Sequence, residues 1–101
     1  MKENKDKEKL IETYSKEFKI LGNPARLCII CQLCDKKRAR VTDLVNCSTK
    51  TQSYISQELA KLKEWKVVGC EKVGVEIFYF LIDDKICSII KNINKKEKET
   101  C

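Results

Sequence analysis

The stretch from Val41 to Trp65 constrains the fold most: "VTDLVN", then "CSTK", then "TQSYISQELAKLKEW". The first segment has room for one short helix, and the polar turn after it belongs at the surface. Thr51 is placed to cap a longer helix reaching about Trp65, because a hydroxyl there accepts from the unpaired N–H groups of a first turn. Along that helix Ile55, Leu59 and Leu62 make one apolar stripe at helical spacing. The other face shows Gln52, Ser53, Ser56, Gln57, Ala60 and Lys61, groups that are small or hydrogen-bonding. A short helix, a tight turn and a longer helix with such a face read as a helix-turn-helix. A helix entering the major groove must bring its backbone close to the bases and offer amides and hydroxyls there.

The flanking segments complete one domain. Leu10, Ile11, Tyr14, Phe18 and Leu21 predict a first helix ended by Gly22. Asn23 and Pro24 then begin a second, as N-cap and first residue, which Leu27, Ile29, Ile30 and Leu33 carry to about Asp35. "DKKRAR" reads as a basic connector. After the longer helix, "VVGCEKV" and "EIFYFLI" predict a hairpin hinged at Gly74. Asp83 and Asp84 open a last helix, where acids suit the positive dipole end, with Ile86, Ile89, Ile90 and Ile93 as its apolar positions. The expected order is α-α-α-α-β-β-α: a mainly α winged helix-turn-helix spanning 10–94, between lysine- and glutamate-rich flexible tails at 1–9 and 95–101.

Composition narrows the function classes. Seven cysteines accompany no histidine and only three glycines. Without histidine the chain lacks the usual general base and the commonest transition-metal ligand, and it has no glycine-rich phosphate loop, so no enzyme is expected. The charged start "MKENKDKEK" and the absence of long apolar runs predict a cytoplasmic chain with no membrane contact. In a reducing cytosol, seven thiols do not imply a structural disulfide framework. The net charge of +6 permits a polyanionic partner without requiring one.

Three segments resemble a known family. "LGNPARLCIICQL" is similar to the second-helix signature of the arsenical-resistance repressor (ArsR/SmtB) family, "YISQELAKLKEWKVV" to its recognition helix and first wing strand, and "EIFYFLI" to its second. The resemblance covers about Leu10 to Ile93. It implies a winged-helix homodimer, paired through its first and last helices, that binds an inverted-repeat operator in double-stranded DNA and lets go when an inducer arrives. The DNA-contacting residues it implies are Lys50, Thr51, Gln52, Ser53, Ser56, Gln57, Lys61 and Lys72, with Lys63 and the "KKRAR" connector adding charge. Three positions depart from the family. Glu58 stands where histidine is usual, which sets an acid near the phosphates unless it turns away. Lys72 alone supplies basic charge to the wing tip "EKVGVE". Trp65 replaces a small residue and reads as packing.

The resemblance also bears on metals. Many family members carry two cysteines in the short third helix, where this chain has Arg40 and Thr42, and others use aspartate and histidines on the last helix. Arginine does not ligate a cation and histidine is absent, so neither site exists and no metal or cofactor is expected. The thiols remain. Cys28, Cys31 and Cys34, three apart on one helix, fan over roughly 120°, so all three meet one ion only with help from another element. A family subgroup senses reactive sulfur or oxidants through a cysteine matching Cys31, paired with one at the end of the last helix. Cys101 matches that second position approximately, and Cys87 competes with it. On this reading Cys31, Cys101, Cys87 and Cys28 are the sensing candidates, and an oxidant or persulfide links two sulfurs and pins the last helix to the second. Cys34, Cys47 and Cys70 read as small apolar filler. Two alternatives stand beside it: a thiolate-based As(III)- or Cd(II)-responsive repressor, and a winged-helix protein-interaction module that binds no DNA.

Overall fold

The computed structural model describes residues 2–45 and 50–100, with side chains for 4–45 and 50–92. Eight elements follow in order: α1 (Lys2–Leu21), α2 (Pro24–Lys36), β1 (Arg38–Ala39), α3 (Val41–Val45), α4 (Gln52–Glu64), β2 (Val68–Val73), β3 (Glu76–Leu81) and α5 (Lys85–Thr100). No helix among the described residues is long and apolar enough to cross a membrane.

The local signals act as expected. Asn23 Oδ1 accepts from the backbone N–H groups of Ala25 at 2.9 Å and Arg26 at 3.3 Å, and Pro24, which has no N–H to satisfy, takes the first helical position. Thr51 Oγ1 accepts from Tyr54 N at 3.2 Å and so starts α4. The hairpin turns through Gly74 and Val75, with φ positive only at Gly74 (+64°), the pattern of a type II′ turn. Glycine is needed a second time at Gly69, where a Cβ would lie 2.8 Å from the Phe80 ring.

One expectation is corrected. The connector "DKKRAR" contains a strand: Arg38 and Ala39 pair antiparallel with Phe80 and Tyr79, giving a three-stranded sheet in the order β1-β3-β2. Two residues are too few to show a period-2 pattern in sequence. Helical backbone also takes in most of both segments expected as tails, since α1 begins at Lys2 and α5 reaches Thr100. Their lysines and glutamates are good helix formers.

The core joins α2, α3, α4 and the sheet through Ile29, Ile30, Leu33, Ala39, Leu44, Ile55, Leu59, Leu62 and Val68. Each large aliphatic side chain there contributes about 1.5–3 kcal/mol by burial. On α2, Leu27 is exposed while Ala25 is buried with Ile29, Ile30 and Leu33. Helix α1 leaves Leu10, Ile11, Tyr14 and Phe18 exposed on one side, and α5 buries Ile86 and Ile90 in part while exposing Ile89. The helix-turn-helix unit is therefore closed on itself, whereas the first and last helices keep apolar surface uncovered.

Candidate nucleic-acid interface and thiol pair

The outer face of α4 is open to solvent. Gln52, Ser53, Ser56, Gln57 and Lys61 are exposed, as are Lys50 and Thr51 just before the helix, and the hairpin does not cover them. Lys50 Nζ lies 5.2 Å from the centroid of the Tyr54 ring, which holds its ammonium near the helix start. The structure thus groups seven of the eight predicted contact residues on one surface, with Lys72 exposed on the wing strand β2. The wing tip itself is apolar: Val73 and Ile77 are half exposed and Val75 is 95% exposed.

Glu58 turns away from this surface. Only 3% exposed, its carboxylate accepts from Arg26 Nε of α2 at 2.8 Å and from Lys61 Nζ at 3.4 Å. Burial pushes the Glu58 carboxyl up, but the hydrogen bonds from Arg26 and Lys61 outweigh it and hold the group below its ordinary value. The Arg26 guanidinium also stands over the Trp65 ring, 4.9 Å from its centroid. Trp65, read as packing, is that cation's half-exposed platform.

A second arginine is also engaged. Arg40 Nε and its second terminal nitrogen donate to the two Asp43 oxygens at 3.1 Å each, and its first terminal nitrogen donates to Glu76 Oε1 at 2.7 Å. The Arg40 backbone N–H donates to Asp43 Oδ2 at 3.0 Å. Hydrogen bonds from Arg40 lower the Asp43 carboxyl to about 2. Arg40, one of the connector's charges, clasps α3 to the wing strand β3 through these bonds. Its neighbour Arg38 stands over the Phe78 ring at 4.5 Å. At the end of α4, hydrogen bonding to Cys70 raises the Lys63 ammonium's pKa.

The thiols depart most from expectation. Cys34 is disulfide-bonded to Cys87, with a Cα–Cα distance of 5.6 Å, within the range a disulfide requires. Cys34 is thus a bonded residue and not filler, and Cys87 partners it and not Cys31. Helix geometry supplies the reason. Cys34 lies in the last turn of α2 and Cys87 in the first turn of α5, where these helices meet, whereas Cys31 stands nearly a full turn back along α2. Cys28, Cys31 and Cys70 are half-buried thiols. Cys47 and Cys101 lie outside the described residues.

Sequence reasoning passed over Arg26 and did not anticipate where Arg40 is spent. One signal was available. Glu58 falls on the inner stripe with Ile55, Leu59 and Leu62, and an acid there requires a buried cation.

The family model described as bacterial regulatory protein, arsR family, matches residues 23–68. An HTH-type transcriptional regulator of Methanocaldococcus jannaschii is 33% identical over 88 residues, which span 84% of this chain and 99% of that protein. The arsenical resistance operon repressor of Bacillus subtilis is 30% identical over 84 residues, 83% of this chain and 80% of the repressor. Among solved structures, the transcriptional regulator HlyU of Vibrio vulnificus is 27% identical and superposes with a TM-score of 0.81, over 92% of this chain and 96% of that one.

Proposed function

The chain belongs to the ArsR family of bacterial regulatory proteins, and from that premise we propose that it is a homodimeric repressor released from an inverted-repeat operator by chemistry at its cysteines. The α4 face of Gln52, Ser53, Ser56 and Gln57 reads base edges, flanked by Lys50, Thr51, Lys61 and Lys72 toward the phosphates. Two copies pair through α1 and α5, whose uncovered apolar residues support that interface.

The observation that carries the switch is the Cys34–Cys87 bond between α2 and α5. It joins the helix that carries the recognition unit to a helix of the proposed dimer interface. Making or breaking that bond alters the spacing between the two recognition helices, and with it operator affinity.

The test is a titration of the purified chain against an inverted-repeat duplex from upstream of its own gene, reduced and oxidised. We expect an affinity difference of about 5- to 150-fold, the usual range for coupled sites. Equal affinity in the two states sinks the switch. Cys31→Ser, treated with polysulfide, separates a role for Cys31 from that of the bridged pair.

A second reading keeps the fold and changes the effector. Reduced Cys34 and Cys87 offer two soft donors at one helix junction, and since no group of three metal-ligating side chains stands together among the described residues, As(III) or Cd(II) would have to draw in a further thiol such as Cys31. Arsenite that releases the operator from fully reduced protein favours it. A protein-interaction module without DNA binding gains no support from the family. Its signature is a binding isotherm that ignores salt, since true duplex affinity falls steeply as counterions compete.

A further inference from the structure

Cys34 and Cys87 line a cleft of about 300 Å3 together with Lys37, Asp84, Leu81 and Ile82. The volume suits a small molecule that reaches both sulfurs. Lys37 and Asp84 supply opposite charges to the same space, and neither side chain forms an ion pair among the described residues. Lys37 is also held at φ +70°, a backbone region that residues other than glycine rarely adopt. Lys37 thus lines the cleft at a position where glycine is the usual low-energy choice.

The two sulfurs are not equivalent. Cys87 is the third residue of α5, its backbone N–H donating to Asp84 O at 3.0 Å, so its sulfur lies at a helix N-terminus that favours thiolate. Cys34 lies in the last turn of α2, where the dipole disfavours it.

We propose that this cleft is an exchange site for a low-molecular-weight thiol of the amino-acid type, bearing one carboxylate and one ammonium, which attacks the sulfur of Cys34 and expels Cys87. Lys37 receives the carboxylate and Asp84 the ammonium. The incoming thiolate RS⁻ forms a bond to Cys34 Sγ as the Cys34–Cys87 bond breaks, and the electron pair leaves on Cys87 as thiolate. A second RS⁻ then attacks the outer sulfur of the Cys34 mixed disulfide, releasing RSSR and the Cys34 thiolate. Two thiols are oxidised to one disulfide while the protein disulfide is reduced to two thiolates. The same path in reverse lets RSSR oxidise the pair. Attack on Cys34 is favoured because the better-stabilised thiolate leaves faster.

The proposal rests on the thiol-switch reading for its regulatory meaning, so exchange is measured without DNA and the two fail separately. The oxidised full chain is opened by cysteine, by cysteamine (no carboxylate), by N-acetylcysteine (no free ammonium) and by 2-mercaptoethanol. Rates per thiolate are followed by alkylation and peptide mass mapping of Cys34 and Cys87. Cysteine should lead each single-charge analogue by about threefold, the scale of one exposed ion pair. Lys37→Met should remove its lead over cysteamine alone, and Asp84→Asn its lead over N-acetylcysteine alone. Early quenching should find the mixed disulfide on Cys34. Rates that follow thiol basicity alone, or a mixed disulfide found on Cys87, overturn the proposal. Charge-selective exchange with unchanged operator affinity leaves this site standing and removes the switch.

Discussion

At its N-terminal end α2 reaches α4 through Arg26 and Glu58, 2.8 Å apart, while at its C-terminal end it is joined to α5 through Cys34 and Cys87. The first link is a charge pair sunk against the core, with Lys61 and the Trp65 ring completing the surroundings of its two partners. It is indifferent to redox conditions and is lost only in acid. The second is covalent, borders a cleft, and is lost only to a reductant. One link joins α4 to α2 through groups that do not respond to redox state. The other makes the attachment of α5 conditional. A chemical signal at the thiols should therefore leave the α2–α4 unit intact and move that unit relative to α5.

Removing Arg26 should break this contrast most severely. Arg26→Ala leaves the Glu58 carboxylate buried with Lys61 alone, and losing one partner of a buried pair costs about 3–5 kcal/mol. Denaturant unfolding of the reduced and oxidised proteins should show the same loss in both states. A loss below about 1 kcal/mol in either means the charge pair does not fasten α4.

Opening the disulfide should come next. It closes a loop with a sequence separation of 53, and such a cross-link contributes about 2–4 kcal/mol, chiefly by restricting the unfolded chain. Unfolding with and without reductant measures it, with Cys87→Ser as the control. Hydrogen exchange should show α5 losing protection on reduction while α2 and α4 keep theirs. Equal loss in α4 contradicts the separation of the two links.

Acid should act on the first link alone. Glu58 has a folded pKa below its ordinary value of 4.5, so its contribution is fully present above about 4.5 and is lost as pH falls through the folded value. The stability of the reduced protein should be flat from pH 7 to about 5. Below that it should fall by no more than about 1.4 kcal/mol per pH unit for this one proton. Glu58→Gln should flatten that part of the curve, and an unchanged slope assigns it to other carboxylates.

These links explain what the sequence made legible. The helix-turn-helix could be read because its signals are local: Thr51 as cap, Ile55, Leu59 and Leu62 as stripe, Gly74 as hinge. The polar face of α4 is the complement of that stripe, so it too was visible. Glu58 was read as a threat to phosphate contact because its partner stands 32 residues away, beyond any periodic pattern. The thiol pair failed for a related reason. Spacing on α2 says that Cys28, Cys31 and Cys34 fan outward, but only the place where α5 meets α2 decides which of them meets Cys87. Strand β1 was missed because its partner Tyr79 and Phe80 lie across the wing. Local periodicity carries the elements, and their crossings carry the site.

The Trp65 platform gives the first link a small, separable component. Trp65→Leu keeps apolar bulk but removes the ring face under Arg26, so stability should fall by about 0.5–1 kcal/mol with the Glu58 pair intact. A loss as large as that of Arg26→Ala would mean that the ring, and not the carboxylate, holds the guanidinium.

The smallest stability effect should come from the clasp between Arg40 and Glu76, which lies at the surface and holds the wing rather than α2. Glu76→Gln should leave the unfolding midpoint unchanged within error, because an exposed pair of long side chains gains little over its hydrated parts. Its consequence is expected in DNA binding. The substitution removes an acid from the start of β3 and leaves Arg40 with Asp43 as its one carboxylate partner. The net charge of the wing then rises by one, and the slope of log affinity against log salt should steepen by up to about 1. An unchanged slope places the wing away from the phosphates, in keeping with its apolar tip, and confines recognition to α4 and the lysines beside it.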